Sequence, residues 1–325
     1  MCIRDSAHIV AGVTKLSKLH FSTREQAEAE NLRKMILAMV DDIRVILVKL
    51  CDRLHNMRTL QHLKPEKQRR IARETREIYA PLANRLGIGR FKAELDDLAF
   101  RYMEADANAS LTRALESRRK VSDSFIEEIR QRLSGAMEEA GIQSTITGRI
   151  KSFSSIYEKM KVQKISVDQV YDYIAFRIIT SSVKDCYGAM GIVHSIWRPV
   201  PGRIKDYIAI PKANLYQSLH TSVMTERGQP FEVQIRTEEM HRIAEVGIAA
   251  HWQYKEDGDP SGKDVEEMAW LRQIVDWQQE HPDPQDFLEL VKVDLFPDEV
   301  YTFTPRGKVL PFRHGATPLD FAYAV

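Results

Sequence analysis

The chain has 325 residues, enough for two or three domains with buried cores. It is 43% hydrophobic and 29% charged with a net charge of +1, which excludes a uniformly basic polyanion binder. No apolar run approaches the roughly 18 residues needed to cross a membrane, and no signal-type segment opens the chain, so a cytoplasmic location is expected.

Cys2, Cys51 and Cys186 lie far apart and form no CxxC pair, which argues against a disulfide framework and against a thiolate zinc site. The opening MCIRDS, Met1–Ser6, fits nothing after it and is set aside as an assembly or cloning scar. In DDIRVILVKLCDRLHNMRTL, apolar Ile43, Ile46, Leu47, Leu50, Leu54 and Met57 recur at steps of three and four, which predicts a helix. Asp52, Asn56 and Thr59 form a polar stripe opposite. One aspartate does not make a metal site, and the chain contains no His-Asp dipeptide. EKQRRIARETREIYAPLANRLGI continues as helix, with a break expected at Pro81 and Gly87. RFKAELDDLAFRYMEA and LTRALESRRKVSDSFIEEIRQRLSGAMEEAGI predict further amphipathic helices, tying a helical domain to the second half of the chain.

Near Gly141 the pattern changes. KSFSSIYEKMKV predicts a helix from Lys151, which places Lys151, Ser155 and Lys159 on one stripe at i, i+4 and i+8. Gly148 loosens the turn before it, and Arg149 stands at the helix entrance. A helix N-terminus with Arg and Lys suits a phosphate; an ordinary amphipathic helix also accounts for the segment. YDYIAFRIIT, IVHSIWRPV, YQSLHTSVMT and PFEVQIRT are short, β-branched or aromatic runs and predict strands. In the last of these, Phe231, Val233 and Ile235 share one face, while Glu232, Gln234 and Arg236 share the other. Asp172 opens the first run, where parity with Ile174, Phe176 and Ile178 would bury it. Two carboxylates on neighbouring strands could hold Mg²⁺, or be two unrelated surface acids.

Between Arg198 and Thr225 four basic residues meet one acid, Asp206, a local charge of +3. Such a cluster on a neutral chain suits a small anion better than a long nucleic acid. Asn214, Tyr216 and His220 share parity in extended chain, offering an amide, a ring that can stack and an imidazole. With Lys205 and Lys212 beside them they point to a nucleotide. EEMHRIAEVGIAAHWQYK predicts a helix, on which His241 and Glu245 lie one turn apart. That spacing alone is a weak metal signal, and a helix-surface pair fits it better. EDGDPSGKD predicts a linker, followed by one more helix and a small β-rich unit, DEVYTFTPRGKVLPFRHGATPLDFAYAV, in which the chain looks cut. A small sheet with helices before and after it indicates an α+β domain of about 120 residues.

These segments carry a resemblance. GRIK…SIYEKM, YDYIAFR, PGRIKDYIAIPKANLYQSLHTSV, FEVQIRT and MHRIAEVGIAAHWQYK resemble the synthetase domain of the long RelA/SpoT homologue proteins, which make and degrade the alarmone (p)ppGpp of the stringent response. GVTKL, AENLRKM and KLCDRLHNMRTL resemble the latter part of that family's all-α HD-type hydrolase domain, and LFPDEVYTFTPRGKVLPFRHGATPLDFAYAV the front of its β-grasp-like TGS domain. The resemblance runs from about residue 9 to the last residue, in family order. It implies a partial hydrolase domain over 7–90, connecting helices over 91–140, a nucleotidyltransferase-like synthetase over 141–255, a linker and helix over 256–293, and a partial TGS domain over 294–325.

The implied activity moves the β,γ-pyrophosphoryl group of ATP to the ribose 3′-hydroxyl of GDP or GTP. By the resemblance Asp172 and Glu232 hold Mg²⁺, and Glu232 helps deprotonate the attacking hydroxyl. Arg149, Lys151, Ser155 and Lys159 are ATP-side residues, Lys205 and Lys212 phosphate cations, Asn214 and Tyr216 the guanine side, and His220 a phosphate contact. Asp52 matches the last Mn²⁺ ligand of the hydrolase, Asn56 and Thr59 residues near its nucleotide. The other manganese ligands fall in a region expected to be absent, so hydrolysis by this chain is not expected. KSFSS departs from the family's Lys-His start, and Cys51 replaces a usual alanine. Two alternatives stay open: a Mn²⁺-dependent (p)ppGpp hydrolase with a regulatory synthetase domain, and a stress module that reaches ribosomes or uncharged tRNA through further C-terminal domains.

Overall fold

The computed structural model describes residues 3–13, 33–39, 42–166, 173–212, 214–247, 299–304, 309–313 and 315–325, with 30, 170, 283 and 286 as single positions. The chain groups into two compact units, 1–49 with 268–325, and 50–267. Asp172, the EDGDPSGKD linker and nearly all of the helix expected after it lie outside the described residues.

In the first unit, helix α1 (Ile3–Val13) takes in Ile3–Ser6, part of the opening MCIRDS. Residues 33–39 form α2, and Arg44 begins α3 (Arg44–Arg58). Gly12 permits a close approach: a Cβ there would lie 2.9 Å from Val45 Cγ2 and 3.0 Å from Ala38 Cβ. Strands β7 (Glu299–Phe303) and β8 (Val309–Arg313) pair as an antiparallel hairpin. Helix α11 (Pro318–Ala324) starts with a reciprocal capping box between Thr317 and Asp320.

The second unit begins with the rest of α3, a 3₁₀ turn (Leu60–His62) and α4 (Pro65–Glu74). The expected break at Pro81 does not occur. Residues Thr75–Tyr79 form a π-helical turn, in which the Ala80 N–H donates to the Thr75 carbonyl, and α5 (Ala80–Arg85) runs straight through Pro81. A proline ring collides with the carbonyl four residues back in a regular helix, and the wide turn just before it relieves that collision. The chain does turn at Gly87, whose φ of +70° is left-handed backbone. Helices α6 (Gly89–Met103) and α7 (Ala105–Glu139) follow. Along α7, Leu111, Leu115, Phe125, Ile129, Leu133 and Met137 are buried, the apolar stripe that seats it on the sheet.

The sheet contains β1 (Ser144–Ile150), β2 (Ile174–Thr180), β3 (Arg198–Pro199), β4 (Lys205–Asp206), β5 (Leu219–Met224) and β6 (Pro230–Thr237). Its order is β1-β2-β6-β5-β3, with β4 also on β5; β2 and β6 are parallel and the other pairs antiparallel. It is thus a mixed sheet flanked by helices. Two expectations are corrected. Strand β1 occupies 144–150, so Gly148 and Arg149 lie in a strand, and α8 (Phe153–Gln163) starts after Ser152, leaving Lys151 off the helix. IVHSI is the end of α9 (Val183–Ile196), and only Arg198–Pro199 of that run pairs as a strand.

One face of the sheet is the core. Phe231, Val233 and Ile235 are buried there with Phe176, Ile178, Leu219 and Val223, beneath α7 and α9. The Phe231 ring meets Phe125, Phe176 and Trp197 edge-on at 6.0, 5.2 and 5.1 Å, and burying each such ring stabilises the fold by about 1.5–3 kcal/mol. The opposite face is polar. Helix α10 (Glu238–Val246) lies along β6 and touches β2 and α6. It closes at Gly247, which meets the Leu86–Ile88 turn backbone to backbone.

Candidate active site

The register fixes which polar side chains stand side by side. Arg149 is opposite Ala175, Ala175 opposite Glu232, and Glu232 opposite Ser222. The next row on the same face is Thr147, Arg177, Gln234, His220 and Lys205. Residues from five strands, and from chain positions some 90 apart, thereby share one surface.

Glu232 sits at its centre. One carboxylate oxygen pairs with the Lys151 ammonium. The other lies 3.2 Å from His220 Nδ1 and accepts from Gln234 Nε2 at 3.1 Å. Burial pushes the Glu232 carboxyl up, but the hydrogen bond from His220 and the charge and hydrogen bond of Lys151 outweigh it, holding the group well below the usual carboxylate range. Lys151 reaches it because its N–H bonds the Tyr173 carbonyl at 2.8 Å, extending the β1–β2 ladder one residue beyond the strand. The other ring nitrogen of His220, Nε2, is 2.7 Å from the Tyr216 hydroxyl. With Nδ1 donating to Glu232, Nε2 of a neutral ring accepts from Tyr216. Burial raises the Tyr216 hydroxyl above its ordinary value, which keeps it a donor.

Tyr216, Tyr207 and His220 form an edge-on aromatic group, with ring separations of 5.3 to 6.1 Å. The Lys212 ammonium stands 4.6 Å from the Tyr207 ring centre and 5.5 Å from that of Tyr216. Lys205 is exposed on β4, opposite His220. Asn214 is engaged in building this loop: its amide nitrogen donates to the Asn84 carbonyl at 2.9 Å and its oxygen accepts from the Tyr216 N–H at 3.3 Å. Leu215 beside it has a φ of +59°. Asp206, the one acid of the basic stretch, accepts from the Ile208 and Ala209 N–H groups and from the Tyr187 hydroxyl, each at 2.9 Å.

On α8, Ser155 is exposed, 2.7 Å from the Ser152 hydroxyl, and Lys159 is half-buried. The N-terminus of α8 is capped from outside: Asp97 of α6 accepts from the Ser154 N–H and hydroxyl at 3.0 and 2.6 Å. Asp52 and Asn56 lie exposed on α3 and Thr59 exposed in the turn just after it, well separated in sequence from the sheet site. Cys51 is exposed as well, so it fills no packing space in the core. Among the described residues no group of three or more His, Cys, Asp or Glu side chains could hold a metal ion.

Sequence reading had no reason to group Arg177 with this site, nor to assign a role to Arg236 and Glu245. Arg236 is 2% exposed, and Arg177 and Arg236 both bond Glu245 of α10 at 3.2 Å. The parallel pairing of β2 with β6 brings the two arginines together, and no local pattern announces it. His241 Nδ1 lies 3.8 Å from Glu245 Oε1, and both accept from Arg236 Nη2, so the two residues meet through that guanidinium.

A model described as the region found in RelA / SpoT proteins matches residues 148–259, and an HD domain model matches residues 4–89. Over 322 residues the chain is 56% identical to a GTP pyrophosphokinase of Myxococcus xanthus, covering 98% of this chain and 42% of that protein. It is 51% identical over 326 residues to a probable guanosine-3′,5′-bis(diphosphate) 3′-pyrophosphohydrolase of Synechocystis, covering 99% and 43%. It is 49% identical over 320 residues to the bifunctional (p)ppGpp synthase/hydrolase SpoT of Escherichia coli, covering 98% and 46%. The chain therefore spans less than half the length of these relatives. With an HD region followed by a RelA/SpoT region, and about half of its residues shared along nearly its whole length, the chain belongs to the RelA/SpoT family.

Proposed function

We propose that the polar face of the sheet is a (p)ppGpp synthetase site, which moves the β,γ-pyrophosphoryl group of ATP to the 3′-hydroxyl of GDP or GTP and releases AMP. The observation that carries this reading is Glu232: an ionised carboxylate held between Lys151 and the His220–Tyr216 pair, with Arg149 and Arg177 on neighbouring strands of the same face. The names of the relatives, GTP pyrophosphokinase among them, support it. Transfer between two polyanions needs in-line positioning and neutralised charge, and this face brings Arg149, Lys151, Arg177 and Lys205 to one side of the sheet.

Lys151 and Glu232 have linked roles. A carboxylate paired with an ammonium is a weak base. When the phosphates of ATP draw Lys151 away, Glu232 loses its main positive neighbour and gains proton affinity. It then accepts the proton of the attacking hydroxyl, while His220 keeps it oriented. Tyr216 offers its ring to the guanine base, Lys212 and Lys205 meet phosphates, and Arg149, Ser155 and Lys159 lie on the ATP side. Asn214 shapes the loop that presents Tyr216. The ionised oxygen donors of Glu232 suit Mg²⁺, to be shared with Asp172, which lies outside the described residues; bound there, the ion would neutralise phosphate charge.

A second reading, Mn²⁺-dependent (p)ppGpp hydrolysis, is favoured by the HD match at 4–89. Asp52 would be a manganese ligand there, with Asn56 and Thr59 near the nucleotide. The β7–β8 hairpin with α11 is read as the front of a TGS domain, and the divisions 7–90, 91–140, 141–255, 256–293 and 294–325 remain the proposed organisation. Ribosome or uncharged tRNA would be met through further domains. No helix among the described residues is long and apolar enough to cross a membrane, in keeping with the proposed cytoplasmic location.

The test is incubation with labelled ATP, Mg²⁺ and GDP or GTP. Labelled ppGpp or pppGpp is expected from the native chain and none from Glu232→Gln, which should still bind nucleotide. Undiminished synthesis by the variant would remove Glu232 from the mechanism. Manganese-dependent release of pyrophosphate from ppGpp would favour the hydrolase reading.

A further inference from the structure

Behind the aromatic group lies a charged cluster that joins Arg177 to Arg236, His241 and Glu245, three residues to which the transfer chemistry above gives no role. Oxygen Oε1 of Glu245 is 3.2 Å from Arg177 Nη1 and 3.2 Å from Arg236 Nη2. The same Arg236 nitrogen donates to His241 Nδ1 at 2.7 Å, which makes that ring nitrogen an acceptor. Arg236 is 2% exposed, Arg177 is half-buried, and among the described residues the Nε atom of each has no hydrogen-bond partner. The Arg236 guanidinium carbon stands 6.0 Å from the centre of the Tyr216 ring.

Two guanidinium groups this close repel each other, and burial strengthens the repulsion. Burial, and after it the Arg177 charge, lowers the proton affinity of Arg236; burial, and with it the Arg149 charge, lowers that of Arg177. A single carboxylate oxygen bonded to both offsets that repulsion and fixes their separation. Arg236 is held in place by Glu245 and His241 through the same nitrogen, Nη2. With the negative charge lost, the repulsion between the two guanidinium groups would act unopposed and shift both, and the packing of Arg236 behind Tyr216 would loosen.

We infer that Glu245 is a positioning residue for the acceptor side of the site: by clamping Arg177 and Arg236 it fixes the cation behind Tyr216 and so the plane of the ring. This role rests on the synthetase reading of the polar face. The guanidinium behind the ring also favours the ring's electron-rich face, adding a cation–π contact to the packing.

The experiment is steady-state synthesis with GTP and ATP varied in turn, on the native chain, Glu245→Gln and Glu245→Asp, with a melting curve for each. Glu245→Gln keeps the shape and removes the charge. It is expected to raise the KM for GTP about tenfold, the KM for ATP by clearly less, and to change kcat little. Glu245→Asp keeps the charge and should recover part of the loss. An unchanged KM for GTP, or an equal rise for both substrates, would overturn the assignment, as would a charge-retaining variant no better than Glu245→Gln. If Glu245→Gln does not fold, Glu245→Asp decides alone, since a shortened carboxylate should shift the GTP KM more than the ATP KM. Absence of product from the native chain would instead refute the synthetase reading.

Discussion

Gly148→Ala tests how tightly β1 is held to the core. A Cβ at Gly148 would lie 2.5 Å from Ile126 Cγ2, 2.9 Å from Phe176 Cε1 and 3.2 Å from Phe176 Cδ1. Carbon atoms prefer about 3.5–4.0 Å, so Ile126 must retreat by about an ångström, against α7. Overpacking of that kind costs about 1–3 kcal/mol. Alanine gives back about 0.5–1 kcal/mol, because glycine loses more backbone freedom in a strand. The net loss is therefore about 1–2 kcal/mol, seen as a melting temperature lower by roughly 3–6 °C. Ile126→Ala removes the clashing methyl, so the double variant should be more stable than additivity allows, by about 1 kcal/mol. Urea melts of the native chain, both single variants and the double variant measure this. A wild-type melt for Gly148→Ala, or additivity within about 0.3 kcal/mol, would refute the packing argument.

Two further perturbations probe the helical half. Asp97→Ala removes the outside cap on α8 and should cost about 1–2 kcal/mol, with a lower midpoint in a urea melt; Asp97→Asn should retain more of the stability, and no change in either would sink the capping role. For Glu94, the hydrogen bond from Arg58 lowers the carboxyl below its ordinary value, with the Arg58 and Arg90 charges adding to it against burial. A folded value below the unfolded one gives stability that is present above the ordinary glutamate value and lost as pH falls through the folded value. Because the pair is largely exposed, solvent screening keeps its contribution small. Glu94→Gln should therefore melt slightly below the native chain at about pH 7, and the gap should close as acid takes the pH through the folded value; a gap that widens in acid would contradict the sign.

Periodicity decides how much of this molecule is legible in its sequence. FEVQIRT alternates strictly, so its two faces, and the place of Glu232 on the polar one, can be read directly. Tyr216 and His220 share parity, and their side chains do bond. Strand β1 escapes such reading because only Ile146 of its seven residues is buried, and because a glycine in an exposed edge strand looks like a turn residue. IVHSI misleads because a short run rich in β-branched residues at a helix end is indistinguishable from a short strand. Arg177, Arg236 and Glu245 are beyond local reading for a different reason. Their meeting depends on a parallel pairing between strands more than fifty positions apart and on the helix laid across them.

The wide turn at Thr75–Tyr79 carries one residue more than an α-helical path would place there. Each residue of a helix advances the chain by about 100° around its axis, so everything downstream in α5 is turned by about that angle. Asn84 lies on the turned stretch, and its carbonyl receives the amide of Asn214, 130 residues later. The phase of one short helix thus sets the aim of the loop that carries Tyr216. A chain one residue shorter in that turn would keep its helices and point the Asn84 carbonyl elsewhere.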